Sequence, residues 1–329
     1  MSTEELAEVE SHPAAFVEEH QLDDNLLIEK THARLLDGRI ALITGGAGTI
    51  ASATARLFAE HGADVAIADL DASRTEAVVA SIRDRGRQGL GIVTDLIADG
   101  AVEAAVNQTA ETFGRVDILV NALGHAKNNI GPSEESDPAD WGPFEESDSA
   151  DWEWLYRMNL RHVFAASHRV VTAMKEGGWG RIINFSSVEG QRAMPYAAAY
   201  TAFKGGIESF TKSLGVEVAR YGIRVNAIAV DKTSTNENGF YAMPAEYEKH
   251  VPVWVPAGRF GRGEDIANIA LFLASDMADW VVGHTIVADG GTLPAGGWFR
   301  TPERWTNSPL LVQYFEDAEA NSARPWNLR

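Results

Sequence analysis

TGGAGTIA, residues 44–51, lies between the apolar run RIALI (39–43) and the helix-like stretch SATARLFAEHG (52–62). Branched apolar residues before a glycine cluster predict a short strand and a tight turn. Beyond the turn, Ile50, Ala53, Leu57 and Phe58 recur at helical spacing and share one face. Strand, turn and helix then repeat along the chain. DVAIADL (64–70), LGIVTDL (90–96), VDILVNAL (116–123), GRIINFSS (180–187), IRVNAIAV (223–230) and HTIVAD (284–289) all read as strands. Helical periods separate them, one carrying Val102, Ala105, Val106 and Phe113 on a single face. Strands apolar along their whole length belong to a sheet covered on both sides. The expected fold is therefore α/β: a doubly wound, Rossmann-like, seven-stranded parallel sheet with helices on both faces.

In such a fold the opening turn has a chemical use. A helix N-terminus leaves backbone N–H groups unpaired and carries partial positive charge, so it attracts the pyrophosphate of a dinucleotide. Gly45, Gly46 and Gly48 allow the turn and a close backbone approach. Ala51 stands where a third glycine is usual, and the string also fits G-x-G-x-x-A from Gly46. Asp69, ending the second strand, can accept hydrogen bonds from both adenosine ribose hydroxyls and would repel a 2′-phosphate. No lysine or arginine lies within residues 44–51 to attract that phosphate. NAD(H) is the expected cofactor.

Bulk properties narrow the function classes. With 329 residues, 45% of them hydrophobic, the chain can bury a large core. No apolar run is long enough to span a bilayer, and the N-terminus lacks the basic and apolar regions of a secretory signal, so the cytoplasm is the expected compartment. A net charge of −19 argues against nucleic-acid partners and anionic membranes. The absence of cysteine excludes disulfides, thiolate nucleophiles and cysteine-bound metal. No histidine or carboxylate pattern suits a metal, so none is expected.

Three segments fall outside the rhythm. Residues 1–37 form an acidic extension with ten acids and two bases, and residues 38–291 hold the alternating strands and helices of the expected Rossmann-like domain. GPSEESDPADW (131–141) is followed by GPFEESDSADW (142–152), a duplicated acidic loop that differs at two of eleven positions. Since the second copy runs directly into EWLYRMNLRHVF, the first reads as the insert. Residues 292–329 form a tail with Trp298, Phe299, Trp305 and Trp326, aromatics that normally find a surface to cover.

The chemistry centres on YTAFK, in which Tyr200 and Lys204 share a helical face at i and i+4. A lysine ammonium beside a phenol favours phenolate, lowering the tyrosine pKa from near 10 towards working pH. That suits proton transfer in alcohol–carbonyl chemistry. Ser187 ends a strand thirteen residues upstream of Tyr200, and Asn159 lies on the preceding helix. Tyr196 is the poorer candidate base, because Tyr200 rather than a lysine lies four residues on.

With these residues in place the chain resembles the short-chain dehydrogenase/reductase family over roughly residues 38–291. TGGAGTIA is similar to the family's TGxxxGxG turn, NALG (121–124) to its NNAG, and MNL (158–160) to the segment bearing its asparagine. INFSS and YTAFK match its serine and Y-x-x-x-K in order and spacing, and GRFGRGEDIA (258–267) and VADGG (287–291) match its C-terminal signatures. The resemblance implies that Tyr200 is the general acid/base and that Lys204 lowers its pKa and holds the nicotinamide ribose. It implies that Ser187 bonds the substrate oxygen, and that Asn159 positions a water linking Lys204 to solvent. Cofactor contacts would come from Gly45, Gly48, Thr49, Ile50, Asp69, Leu70, Asp95, Leu96, Asn121, Ala122, Val230, Thr233 and Thr235, besides Tyr200 and Lys204. Asp95, read as closing the third strand, would meet the adenine amino group. A homotetramer is also implied, with helix 199–220 at an interface.

Two positions depart from the family. Thr49 puts a Cβ where a glycine is expected. Val230-Asp231 replaces Pro-Gly after IRVNAIA, so an acid falls near the nicotinamide, either folded back as a surface residue or in contact with substrate. Around the substrate we expect His125, Lys127, Glu189, Gln191, Arg192 and Tyr196, and the loop 232–257 with Phe240, Tyr241, Met243, Tyr247 and Trp254. The expected activity is an NAD(H)-dependent oxidoreductase that interconverts a secondary alcohol and its ketone. The alternatives are an NAD-binding regulatory or scaffold protein without turnover, and an epimerase or dehydratase that retains its NAD.

Overall fold

The computed structural model describes residues 34–125, 143–233, 251, 255–296, 299–300 and 305–306. The elements below belong to one compact unit, Leu35–Arg329. Seven strands form its sheet: β1 (Ile40–Thr44), β2 (Asp64–Asp69), β3 (Gly89–Val93), β4 (Ile118–Asn121), β5 (Gly180–Ser187), β6 (Ile223–Val230) and β7 (Thr285–Ala288). Their order is β3-β2-β1-β4-β5-β6-β7, and every neighbouring pair is parallel. The chain starts in the middle of the sheet, winds outward to β3, then returns past β1 to wind the other way. The strand order therefore reverses between β1 and β4, and open α/β sheets bind ligands at the carboxyl ends of the strands beside that crevice.

Alternation along the strands feeds two cores. Ala41 and Ile43 of β1, with Ile118 and Val120 of β4, face a cluster completed by α1 (Thr49–Glu60), α2 (Ala72–Arg83) and α7 (Gly263–Ala274). Leu42 and Leu119, one residue out of phase, face a second cluster with α3 (Ala101–Phe113), α5 (His162–Gly177) and α6 (Ala198–Val218). Side chains one apart on a strand point to opposite faces, so each apolar strand serves both layers. The expected doubly wound sheet with helices on both faces is what forms. Leu36, in the stretch read as part of the extension, is already fully buried.

Two details differ from the sequence expectation. β3 ends at Val93, so Asp95 lies outside the strand and is exposed, its Oδ1 accepting from the Ile97 N–H at 3.1 Å. This short side-chain-to-backbone bond turns the chain out of the sheet. The stretch expected as one helix through Asn159 is instead α4 (Ser149–Tyr156), a π-helical turn at Arg157–Arg161, and then α5. Asn159 causes the widening. Its Nδ2 donates to the Leu155 carbonyl four residues back at 3.0 Å, competing with the backbone ladder.

The second acidic repeat does run into a helix. Asp148 caps α4, accepting from the Ala150 and Asp151 N–H groups at 2.8 and 3.0 Å, while Asp151 accepts from the Asp148 N–H at 3.1 Å. In the tail, Phe299–Arg300 and Trp305–Thr306 form a short antiparallel pair.

Candidate active site

The four residues singled out for catalysis come from three elements at the carboxyl edge of the sheet. Ser187 is the last residue of β5. Tyr200 and Lys204 occupy the first two turns of α6, and Asn159 sits in the π turn. Lys204 is buried, and its Nζ lies over the Tyr200 ring, 5.8 Å from the centroid. The same ammonium donates to the Phe185 carbonyl at 3.1 Å, and the Lys204 carbonyl accepts from Ser186 Oγ at 3.0 Å. These two bonds fasten α6 to the end of β5, which carries Ser187. Burial pushes the Lys204 pKa down to about 8.

Asn159 is wholly buried and clamps the loop after β4. Its Oδ1 accepts from the His125 N–H at 3.1 Å, and its Nδ2 donates to the His125 carbonyl at 3.0 Å. Gly124 lies where these groups meet. A side-chain carbon there would stand 2.7 Å from Lys204 Nζ and 3.2 Å from Asn159 Oδ1. Tyr200, Lys204 and Asn159 thus share one corner. Ser187 Oγ accepts from the Glu189 N–H at 3.2 Å, so it both caps the following turn and carries a hydroxyl at the strand end.

Across the switch point lies the glycine turn. Gly48 precedes α1, and no side chain caps that helix. Gly45 has φ of +64°, and a Cβ there would meet the Leu123 Cα at 2.8 Å, so backbone closes on backbone. A bare helix N-terminus behind such a turn forms a cradle for a phosphate group. Thr49 is the first residue of α1, and Ala51 is buried in the core, as the position facing the sheet requires. Ile50 also packs against that core. Asp69, at the end of β2, accepts from the Ala47 N–H at 3.0 Å and from the Asp71 N–H at 3.1 Å. Its carboxylate therefore stands directly against the glycine turn. The chain's own residues fit a dinucleotide here.

Other expected contacts divide. Leu70 is exposed and Leu96 is buried. Asn121 is buried, its Nδ2 donating to Asn184 Oδ1 at 2.8 Å, while Asn184 donates on to Thr211 Oγ1 at 2.9 Å. The Asn121 amide thus ties β4 to β5, Asn184 ties β5 on to α6, and the neighbouring Ala122 N–H bonds the Thr44 carbonyl at 3.2 Å. Val230, the last residue of β6, is in register with Ser187. Thr233 Oγ1 donates to the Asp231 carbonyl at 2.7 Å.

The substrate candidates are largely engaged within the protein. Gln191 Nε2 donates to both Glu208 oxygens at 3.1 Å, and Glu208 also accepts from Ser186 Oγ at 3.0 Å. Glu189 is buried and meets Arg192, whose Nε and terminal nitrogen donate at 3.1 and 2.9 Å. The ring of His125 meets the Trp154 ring edge-on at 6.5 Å between centroids. Tyr196 has φ of +66°, a left-handed conformation rare outside glycine and found where surroundings impose it. Together with Phe144, Ser147, Leu155 and Tyr200 it lines a shallow recess. Lys127, Thr235, Phe240, Tyr241, Met243, Tyr247, Trp254, Trp298 and the first acidic repeat lie outside the described residues.

Asp231 is not a surface acid, since its side chain is only 6% exposed. It is buried and pairs with Arg192 at 2.9 Å, accepts from Thr292 Oγ1, and has Lys232 Nζ at 3.8 Å. Burial disfavours the charge on Arg192, but Glu189 and Asp231 outweigh it and leave its pKa raised. For Lys232 burial wins, and its pKa is lowered. The sequence offered no sign of this pairing, because Arg192 and Asp231 are 39 residues apart. His162 was also missed: it is buried next to the Asn159 turn, with no well-formed hydrogen bond at either ring nitrogen.

Comparison with known proteins points one way. Residues 45–292 match the family described as enoyl-(acyl carrier protein) reductase. The chain is 35% identical to cis-4-hydroxycyclohexanecarboxylate dehydrogenase of Sinomonas cyclohexanicum over 253 residues, 77% of this chain and 96% of that protein. It is 36% identical to D-threitol dehydrogenase of Mycolicibacterium smegmatis over 257 residues, 78% of this chain and 93% of that protein. Among solved structures, levodione reductase superposes with a TM-score of 0.69 at 31% identity, covering 79% of this chain and 99% of its own.

Proposed function

Because the chain belongs to the short-chain dehydrogenase/reductase family of oxidoreductases, we propose that it interconverts a secondary alcohol and its ketone with NAD(H). The observation that carries this reading is the Lys204 ammonium over the Tyr200 ring, 5.8 Å from its centroid, at the corner closed by Asn159 and Gly124. When bound, the nicotinamide cofactor accepts or supplies the hydride. The protein's share is alignment and proton movement.

Tyr200 exchanges the proton with the substrate oxygen. A cation fixed one helical turn away favours its phenolate during alcohol oxidation. Ser187 donates to the same oxygen, stabilising the charge that develops there. Asn159, which holds the His125 backbone beside Lys204, keeps a route open between the lysine and solvent. The uncapped start of α1 takes the pyrophosphate. Asp69 would receive the adenosine ribose hydroxyls, and its charge favours NAD(H) over the 2′-phosphorylated form.

The relatives' names cover a hydroxylated cyclohexane carboxylate and a tetritol, so small cyclic alcohols and polyols make the first panel. The test is reduction of NAD+ against that panel by the parent chain and by Tyr200→Phe. Loss of the phenolic proton carrier should reduce turnover by about 100-fold or more, with NAD+ affinity within a few-fold of the parent. Full turnover in Tyr200→Phe would remove Tyr200 from the proposed role.

A further inference from the structure

A buried cluster of charges surrounds the point where the family's Pro-Gly is replaced. Arg192 is its hub. Nε and one terminal nitrogen hold the two Glu189 oxygens at 3.1 and 2.9 Å. That same terminal nitrogen holds Asp231 Oδ2 at 2.9 Å, and the other reaches the Gly296 carbonyl at 3.2 Å. Thr292 donates to Asp231 as well, and Lys232 lies on its other oxygen. The side chains of Glu189, Asp231 and Lys232 are 7%, 6% and 8% exposed, and that of Arg192 is 10% exposed. One guanidinium thus joins the segments that follow β5, β6 and β7.

The position of this cluster gives it a consequence for chemistry. Glu189 is two residues beyond Ser187. Asp231 is one residue beyond Val230, which is in register with Ser187 on one side and Ala288 on the other. Two carboxylates therefore lie at the reacting edge of the sheet, shielded from water. Charges in such a place are felt strongly, because the surrounding dielectric is low and salt does not screen them.

We propose that Arg192 is an electrostatic positioning residue: together with Lys232 it offsets the charges of Glu189 and Asp231 and so sets the balance with which the site holds the oxidised and reduced cofactor. This inference rests on the NAD(H) reading above. An oxidised nicotinamide ring is cationic and a reduced one is neutral. An uncompensated carboxylate nearby stabilises the cation selectively, and an uncompensated guanidinium does the reverse. The two partners must then act with opposite sign.

The experiment measures the dissociation constants of NAD+ and NADH for the full chain by fluorescence titration, without substrate. Arg192→Gln should raise the ratio Kd(NADH)/Kd(NAD+) by about tenfold. Asp231→Asn, which keeps the shape and an acceptor for Arg192 and Thr292, should lower that ratio. The double variant, having lost one charge of each sign, should return to within about threefold of the parent. Arg192→Lys keeps the charge without the fork and should leave the ratio near the parent value.

Shifts of the same sign in both single variants, or none in either, would overturn the proposal, because a purely structural role weakens both ligands together. If Arg192→Gln does not fold, the isosteric Asp231→Asn decides alone by the direction of its shift. Binding of neither nucleotide by the parent chain overturns the NAD(H) reading itself and the inference with it. A normal parent with same-sign variants sinks only the inference.

Discussion

His162 shows how one residue records its surroundings. It follows the π turn, is buried, and has no well-formed hydrogen bond at either nitrogen. Burial first, and the charge of Lys204 second, push its pKa down to about 3, against the weaker opposing pull of backbone groups at Leu123 and Met158. The ring is therefore neutral in the folded protein at any pH where the enzyme would work. In the unfolded chain its pKa returns to near 6.5. Between these values the unfolded state binds a proton that the folded state refuses. The histidine's contribution to stability is thus complete above about pH 6.5 and declines as the pH falls towards 3. At pH 4.5 the deficit is about 3 kcal/mol. Urea unfolding at pH 7 and pH 4.5 should show that loss in the parent and not in His162→Leu, whatever the absolute stability of the variant. Equal acid losses in both proteins would assign the titration to another group.

Among the elements, α4 ties the acidic repeat to the catalytic region. Its capping box is built from Asp148 and Asp151 of the second copy. Trp152 of the same copy stacks on Phe144, with ring centroids 5.6 Å apart. Asp148→Ala removes the acceptor for two helix N–H groups and should cost about 1 kcal/mol, read as a lower midpoint in thermal unfolding. This helix was legible because the second repeat runs directly into the helix-like stretch EWLYRMNLRHVF. The strands were legible for a related reason: inner strands such as β1, β2 and β4, buried on both faces, are apolar almost throughout, and the part-exposed edge strands β3 and β7 keep a similar short branched run. The π turn was not. A one-residue widening leaves the helical period almost unchanged, and its cause is a bond from Asn159 to Leu155 that no spacing rule reveals. At the site, the pairing of Tyr200 with Lys204 is local and could be read at i and i+4. The engagement of Gln191 and Asp231 could not, since their partners Glu208 and Arg192 reach them only when separate elements are brought together, whereas Glu189 and Arg192 are a local pair three residues apart. Acids that look available in sequence are occupied in the fold.

At the scale of the whole molecule, the sheet has two differently built ends. The carboxyl edge gathers the candidate catalytic groups, while the amino edge is closed by Arg181, the second residue of β5 and only 1% exposed. Its guanidinium stacks 4.2 Å from the Trp179 ring, on which the Arg39 guanidinium also stacks at 3.6 Å. It pairs with Asp279 at 2.6 Å and Asp276 at 3.1 Å, both more than half exposed. Burial lowers the Arg181 pKa against the pull of these two carboxylates. The asymmetry of exposure determines what substitution does. Removing both acids, in Asp276→Ala with Asp279→Ala, strands a buried cation and should cost about 3–5 kcal/mol. Arg181→Met instead leaves two acids that water already solvates, and it fills the space with an apolar chain. Its cost should be the smaller of the two, about 1–2 kcal/mol. Ser187 lies about 20 Å farther along the same strand, so turnover per folded molecule should be unchanged in both variants. Urea unfolding alongside an alcohol-oxidation assay separates the two effects. A larger loss from Arg181→Met than from the double acid variant would mean that stacking on Trp179, rather than the paired charge, holds this end of the sheet.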